Sequence, residues 1–451
     1  MTLTKLALAL ALTSVTAATY AEVNPQEAAR LQSDLTPVGA QKAGNQNGTI
    51  PAWTGGMVDP KVVYEGRRPD PFADEKPLFS ITAKNVGEHS DKLSDGVKAL
   101  LDKYPTYRID VYKTHRTAAF PQYVYDNTFK NATVATLATG ASGVYAQGAY
   151  GGFPFPIPQT GEQVVLNSLV RWRGESWVKE ARNYQVTADG KPVLLSDIVQ
   201  YNTAPYYFKE NTTPSAGTTS YWNTRVDTKG PAIRAGEAII GKQTVDEANS
   251  NNWVYLVGQR RVRKLPYACC DTPTPALAGV ASFDEFEVRA GQLDRFDWKL
   301  VGKKELYIPY NSNRTLTATQ DSQLLGPKHI NPDYMRWELH RVWVVEATLK
   351  PGKRHVVAKS TYYFDEDTWI PVMADRSDAK GQLWRVLYPT PTVLPDLPGV
   401  VPNGFTIYDL QAGTYLAAEV AAESKQHYRI ASPRVRDSYF APESMAGTGV
   451  R

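Results

Sequence analysis

The chain has 451 residues, 42% of them apolar and 11% aromatic, with 32 glycines and 31 prolines. That mixture describes a folded, β-rich globular protein and excludes a disordered or collagen-like one. With 50 basic and 46 acidic residues the formal charge is only +4, and no basic stripe of the kind that marks nucleic-acid binding stands out. The densest basic run, Arg260, Arg261, Arg263 and Lys264, falls in strand-like sequence and reads as a solvated face.

Residues 1–21 combine one lysine, an alternating Leu/Ala run over 6–12, and Thr19, Tyr20 and Ala21 as a small-residue cleavage pattern, which together read as a secretory signal peptide. The apolar run is shorter than the roughly 20 residues that cross a bilayer. The expectation is therefore export to a Gram-negative periplasm, with residues 22–451 as a single domain that carries an N-terminal helix and loop extension.

A short helix is expected over 24–33, followed by turn-rich sequence at 45–56 around Trp53 and an extended stretch at 68–72. Leu93, Val97, Leu100 and Leu101 recur at helical spacing and predict a second helix over 91–103. Gly140, Gly143, Gly148, Gly151 and Gly152 then interleave with Tyr145, Tyr150, Phe153 and Phe155, reading as an aromatic, glycine-hinged loop and a candidate gate over a cavity. A third helix is expected over 162–172.

From Trp177 onward the sequence is strand-like, with strands predicted at 184–187, 194–202, 219–228, 253–264, 286–290, 298–309, 341–350, 354–365, 369–375 and 382–388. Tight turns at 188–191, 350–353 and 378–381 join antiparallel neighbours. Strands do not alternate with long helices, which disfavours a doubly wound parallel sheet. Trp343, Val345, Ala347 and Leu349 share one parity, as do Val356, Ala358, Tyr362 and Phe364. Period-two patterning puts each set on one buried face of a sheet whose other face is wet. These eight, with Trp253 and Tyr255, are the candidate cavity wall, unless the core closes over them.

The only cysteines are the adjacent Cys269 and Cys270. They are too few to supply four zinc ligands from cysteine alone, and in an oxidising compartment they can close a vicinal disulfide, pair between chains or remain thiols. The six histidines form no metal-binding pattern, and the serine-hydrolase elbow, phosphate loop and dinucleotide fingerprint are missing. No catalytic residue, cofactor or metal is therefore expected. Acidic clusters at Asp284, Glu285 and Glu287 and at Asp365, Glu366 and Asp367 leave open a hydrolase that uses paired carboxylates.

Residues 253–266, 282–286, 362–372 and 378–381 resemble outer-membrane lipoprotein-sorting proteins of the LolA/LolB kind. Residues 47–56, 151–158 and 283–304 resemble the proteobacterial domain of unknown function 1329, of the same broad group. The resemblance implies a mainly β fold, a large antiparallel half-open barrel with short helices and long loops covering its concave face. It also implies a non-enzymatic periplasmic carrier of a hydrophobic or lipid-like molecule. Its implied partners are an inner-membrane pump of the resistance-nodulation-division (RND) type and an outer-membrane protein. The rival readings are an envelope hydrolase and an assembly factor with a filled barrel.

Overall fold

The computed structural model describes residues 23–446 except Pro60, Val63, Glu65, Tyr267 and Ala268, so the expected signal peptide lies outside the described residues. The protein is mainly β, built on one open, mostly antiparallel sheet of sixteen strands that does not close on itself, as a half-open barrel requires. From edge to edge the strands run Phe79–Ile81, Ile109–Val111, Trp337–Leu349, Lys359–Asp365, Pro371–Ser377, Leu383–Leu394, Gly399–Asp409, Thr414–Val420, Ser176–Val186, Pro192–Thr203, Ser220–Gly230, Ala238–Thr244, Asn251–Leu256 and Arg261–Leu265. Phe296–Pro309 pairs with Trp337–Leu349, and Arg429–Ile430 with Ser176–Val186. All three predicted tight turns connect antiparallel neighbours. No helix among the described residues is long and apolar enough to cross a membrane.

The predicted strand over 253–264 is a hairpin that turns at Arg260, in the left-handed region at φ 48°. Its second arm, Arg261–Leu265, is the sheet edge, and its exposed Arg261, Arg263 and Lys264 suit an edge strand that must not pair with another chain. The predicted strand at 286–290 is instead part of a tight 3-10 turn, Phe283–Val288. Helices occupy Pro25–Ala28 and Asp95–Lys103 within the predicted windows, and Gly161–Leu169 starts one residue before its window. A further helix, Gln122–Val134, has no sequence-based counterpart, because Tyr123, Tyr125, Asn127 and Phe129 blur its apolar stripe.

The sheet was expected to keep one wet face, but around Trp337–Leu349 both faces are buried. On one side Val345, Ala347, Tyr362 and Phe364 pack under the helix Gly161–Leu169 with Phe153 and Phe155. On the other, Val342, Val344, Tyr363 and Met373 pack with Val97, Leu100 and Leu101 of the helix Asp95–Lys103. The Gly161–Leu169 helix starts on a capping box, Thr160 with Gln163. Its first residue must be small, because a Cβ at Gly161 would sit 2.8 Å from the Trp298 carbonyl oxygen and 3.0 Å from Val345 Cγ1. Contact this close leaves no room for a guest between helix and sheet in this half.

Candidate functional site

The opposite half of the sheet holds a cavity of about 220 Å³. This exceeds the engineered cavity of about 150 Å³ that accommodates benzene, and it suits one hydrocarbon chain or a small ring system. Its floor follows period-two alternation across four strands: Ile198 and Gln200; Trp222, Thr224 and Val226; Ile239, Gly241 and Gln243; and Asn252. Its cover comes from the segments holding Ala276 and Leu277, Phe283 and Phe286, and Ala290 to Gln292. The Trp222 indole donates to Asn202 Oδ1 at 3.0 Å, and its ring lies 5.7 Å from Phe286, which meets Phe405 edge-on at 5.4 Å. Apolar and aromatic surface dominates, as in small-molecule sites generally.

The turn Phe283–Val288 is clamped onto the sheet by its carboxylates. Asp284 meets Arg376 at 3.1 Å and His355 at 3.2 Å, Glu285 accepts from Arg385 at 2.7 Å, and Glu287 pairs with Arg171 and, at 3.1 Å, with Arg173. Burial would raise both Asp284 and Glu287. The Arg376 guanidinium, His355 and the Ser282 hydroxyl together outweigh it and hold Asp284 well below the carboxylate range, and Arg171, Arg173 and Lys179 together hold Glu287 at about 2. Glu287 and Val288 both adopt positive φ, 45° and 76°, a costly conformation for a β-branched residue. The acidic cluster read as a possible hydrolase pair is thus the fastening that holds Phe283 and Phe286 over the cavity.

Glu366 and Asp367 of the second acidic cluster are also ion-paired. Arg116 grips Asp367 through both carboxylate oxygens at 2.6 and 2.9 Å, and Glu366 takes Lys303 at 2.7 Å. His340, Asp365 and Asp367 bring possible metal-ligand atoms within 4.8 Å of one another, all buried. Burial, then the charge of Asp367, pushes Asp365 up to about 7 beside His340.

The structure puts the predicted wall elsewhere. Val345, Ala347, Tyr362 and Phe364 lie in the closed core, and Trp343 and Leu349 are half-buried against it. Ala358 is half-buried just before the strand Lys359–Asp365, and Val356 is 53% exposed. Trp253 and Tyr255 lie on the same strand as Asn252 but, by strand alternation, face the other side, where they pack with Ala238, Ile240 and Phe440. None of these ten residues lines the cavity. Val356→Thr should accordingly leave both stability, within about 0.5 kcal/mol, and ligand binding unchanged, as chemical denaturation and titration would register.

The glycine-hinged segment packs into the fold. Gly140 and Gly143 form the tip of the hairpin Thr136–Gly140 and Gly143–Gln147, and Gly148 follows it with φ 85°. Gly151 and Gly152 press against Asn127 and Thr128, the Gly152 carbonyl accepts from Tyr206 at 2.7 Å, and Phe153 and Phe155 are buried. Only the hairpin tip reaches the cavity's rim. Ser142 bonds the Asp246 carboxylate, and its carbonyl accepts from Leu293 N at 3.2 Å, next to lining residues Glu247 and Gln292.

Cys269 lines the cavity and Cys270 turns toward Gln292 and Asp284. Both are free thiols in the structure, Cys270 has φ 60°, and a hydrogen bond from Cys270 lowers the Cys269 thiol. Sequence reasoning missed Trp222, Phe286, Gly241, Gln243 and Asn252. Their alternation mixes apolar with polar residues, so no continuous apolar stripe announced them.

The family model described as a protein of unknown function, DUF1329, matches residues 80–446. The chain belongs to the DUF1329 family. A relative is the uncharacterized protein PA3922 of Pseudomonas aeruginosa, 40% identical over 99% of this chain and 97% of its own length. A DUF1329 family protein from Desulfovibrio piger shares 14% identity over 63% of this chain and 97% of its own, with a TM-score of 0.42. A domain from Vibrio parahaemolyticus described as an outer-membrane lipoprotein-sorting protein shares 11% over 64% and 98%, with a TM-score of 0.43. A LolA superfamily protein from Nitrosomonas europaea shares 14% over 64% and 100%, with a TM-score of 0.37. In this DUF1329 protein the turn Phe283–Val288 and its arginine partners all fall within the matched residues.

Proposed function

We propose that this DUF1329 protein is a periplasmic binding or shuttle protein for a hydrophobic or lipid-like molecule held in the 220 Å³ cavity. The observation that carries the reading is that cavity, floored by alternate residues of four strands and roofed by Phe283 and Phe286. Solvent exclusion is the mechanism. Apolar burial contributes roughly 25 cal/mol per Å², so about 300 Å² of ligand surface yields on the order of 7 kcal/mol before ordering costs. Release would follow displacement of the rim, where the hairpin tip at Gly140 and Gly143 buttresses the segments around Asp246 and Leu293. An RND-type inner-membrane pump and an outer-membrane protein are the partners that the family resemblance implies. The hydrolase reading finds no favour in the geometry, because both acidic clusters are engaged in ion pairs away from the cavity.

The test is native mass spectrometry after gentle purification, together with titration of the fluorescent apolar probe N-phenyl-1-naphthylamine. We expect a co-purifying lipid-like mass and saturable probe binding. Filling the cavity with Ala276→Trp should weaken probe affinity at least about tenfold without unfolding the chain. No bound mass and no saturable probe binding would sink the carrier reading.

A further inference from the structure

The cavity wall carries no basic side chain among the described residues. Its only charged groups are two carboxylates, Glu247 and Glu419. Both are already served: Glu247 accepts from Tyr221 at 2.7 Å and Ser250 at 2.9 Å, and Glu419 from Lys179 at 2.5 Å and Gln200 at 2.8 Å. Arg171, Arg173 and Arg289 do not line the cavity. Arg171 and Arg173 hold Glu287, and Arg289 donates to the Gly291 and Gln292 carbonyls at 2.7 and 2.9 Å. An anionic headgroup drawn into this space would meet two carboxylates and no lining cation, a costly desolvation.

One row of the floor is polar. Thr224, Gly241 and Asn252 are neighbours in register across three strands, and Gln243 lies two residues from Gly241 on the same face. The Asn252 and Gln243 amides close over Gly241, where a Cβ would sit 2.9 Å from Asn252 Oδ1 and 3.0 Å from Gln243 Nε2. Gln243 Nε2 donates to Asn252 Oδ1 at 3.0 Å, which leaves Asn252 Nδ2 and Gln243 Oε1 without a partner among the described residues. Beside them Thr224 Oγ1 is also unpartnered. The two free amide ends are one donor and one acceptor, and reversing both amides leaves the same combination.

A group that both donates and accepts fits that pair: a hydroxyl does, a carboxylate only accepts and an ammonium only donates. We infer that the cargo is an uncharged amphiphile whose hydroxyl seats on Gln243 and Asn252, with its apolar body against Trp222, Val226 and Phe286. This rests on the carrier reading and narrows it to a class of ligand.

The experiment is displacement of bound N-phenyl-1-naphthylamine at pH 7.5 by a matched set, 1-dodecanol, dodecanoate and dodecylammonium. Dodecanol should displace the probe at a concentration at least about fivefold lower than either ion. A smaller preference, or preference for an ion, overturns the inference while leaving the carrier reading standing. Absence of any probe binding overturns both. In Gln243→Met the probe should bind within about twofold of the parent affinity while the preference for the alcohol falls below fivefold. An undiminished preference in that variant would overturn the assigned seat.

Discussion

Glu287→Gln should destabilise the protein by about 3–5 kcal/mol, because it leaves two buried guanidiniums, Arg171 and Arg173, without the carboxylate they share. The same change releases a turn held at positive φ through Glu287 and Val288. The pH dependence separates this pairing from a generic packing defect. Glu287 is held at about 2 when folded, below the roughly 4.3 of an unfolded glutamate, so its contribution is complete above that value and is lost as pH falls toward 2. The stability gap between parent and variant, measured by urea denaturation, should therefore be widest at neutral pH and close as pH drops from about 5 to about 2. A gap that stays constant over that range would remove the ion pair as its cause. Since Phe283 and Phe286 ride on this turn, probe binding in the cavity should weaken in the same variant.

Trp369→Ala should cost about 3–5 kcal/mol, the range for removing a large buried aromatic. Trp369 is fully buried, stacks with Trp343 at 6.3 Å, lies 6.2 Å from Phe153 and donates from its indole to the Val38 carbonyl at 3.1 Å. It ties the segment holding Val38 and the segment after Gly148 to the sheet, so limited proteolysis should open both regions first. Under conditions where the variant remains folded, probe binding should persist, because the cavity belongs to the other half of the sheet. Simultaneous loss of probe binding would mean that the closed half and the cavity are coupled, contrary to the packing described above.

The strands of the closed half were legible because their signal is local. Wholly apolar parity in Trp343, Val345, Ala347 and Leu349 and turn chemistry at 350–353 identify a hairpin without knowledge of anything distant. The helix at 95–103 was legible from its apolar spacing, to which Ser94 adds an N-cap at 3.1 Å. The same strong signal misled at the level of function. A perfect apolar stripe marks a face that the protein fills itself, here with the helix Gly161–Leu169, Phe153 and Phe155.

The sequence by itself determined a mainly β chain, the hairpins turning at 188–191, 350–353 and 378–381, three of the helices and the family, since each is written in periodicity, turn residues or contiguous motifs. Tertiary structure alone decided where the cavity lies, because its floor is assembled from alternate residues of four strands and its roof from a separate turn, Phe283–Val288, further along the chain. It also decided the role of the acids at 284, 285 and 287. In sequence they are a charged run, and only when Arg171, Arg173, Arg376 and Arg385 arrive from remote strands and loops do they become a fastening. Ion pairing and alternation across strands depend on register between distant segments, and one residue of register separates a side chain in the cavity, Asn252, from one on the opposite face, Trp253.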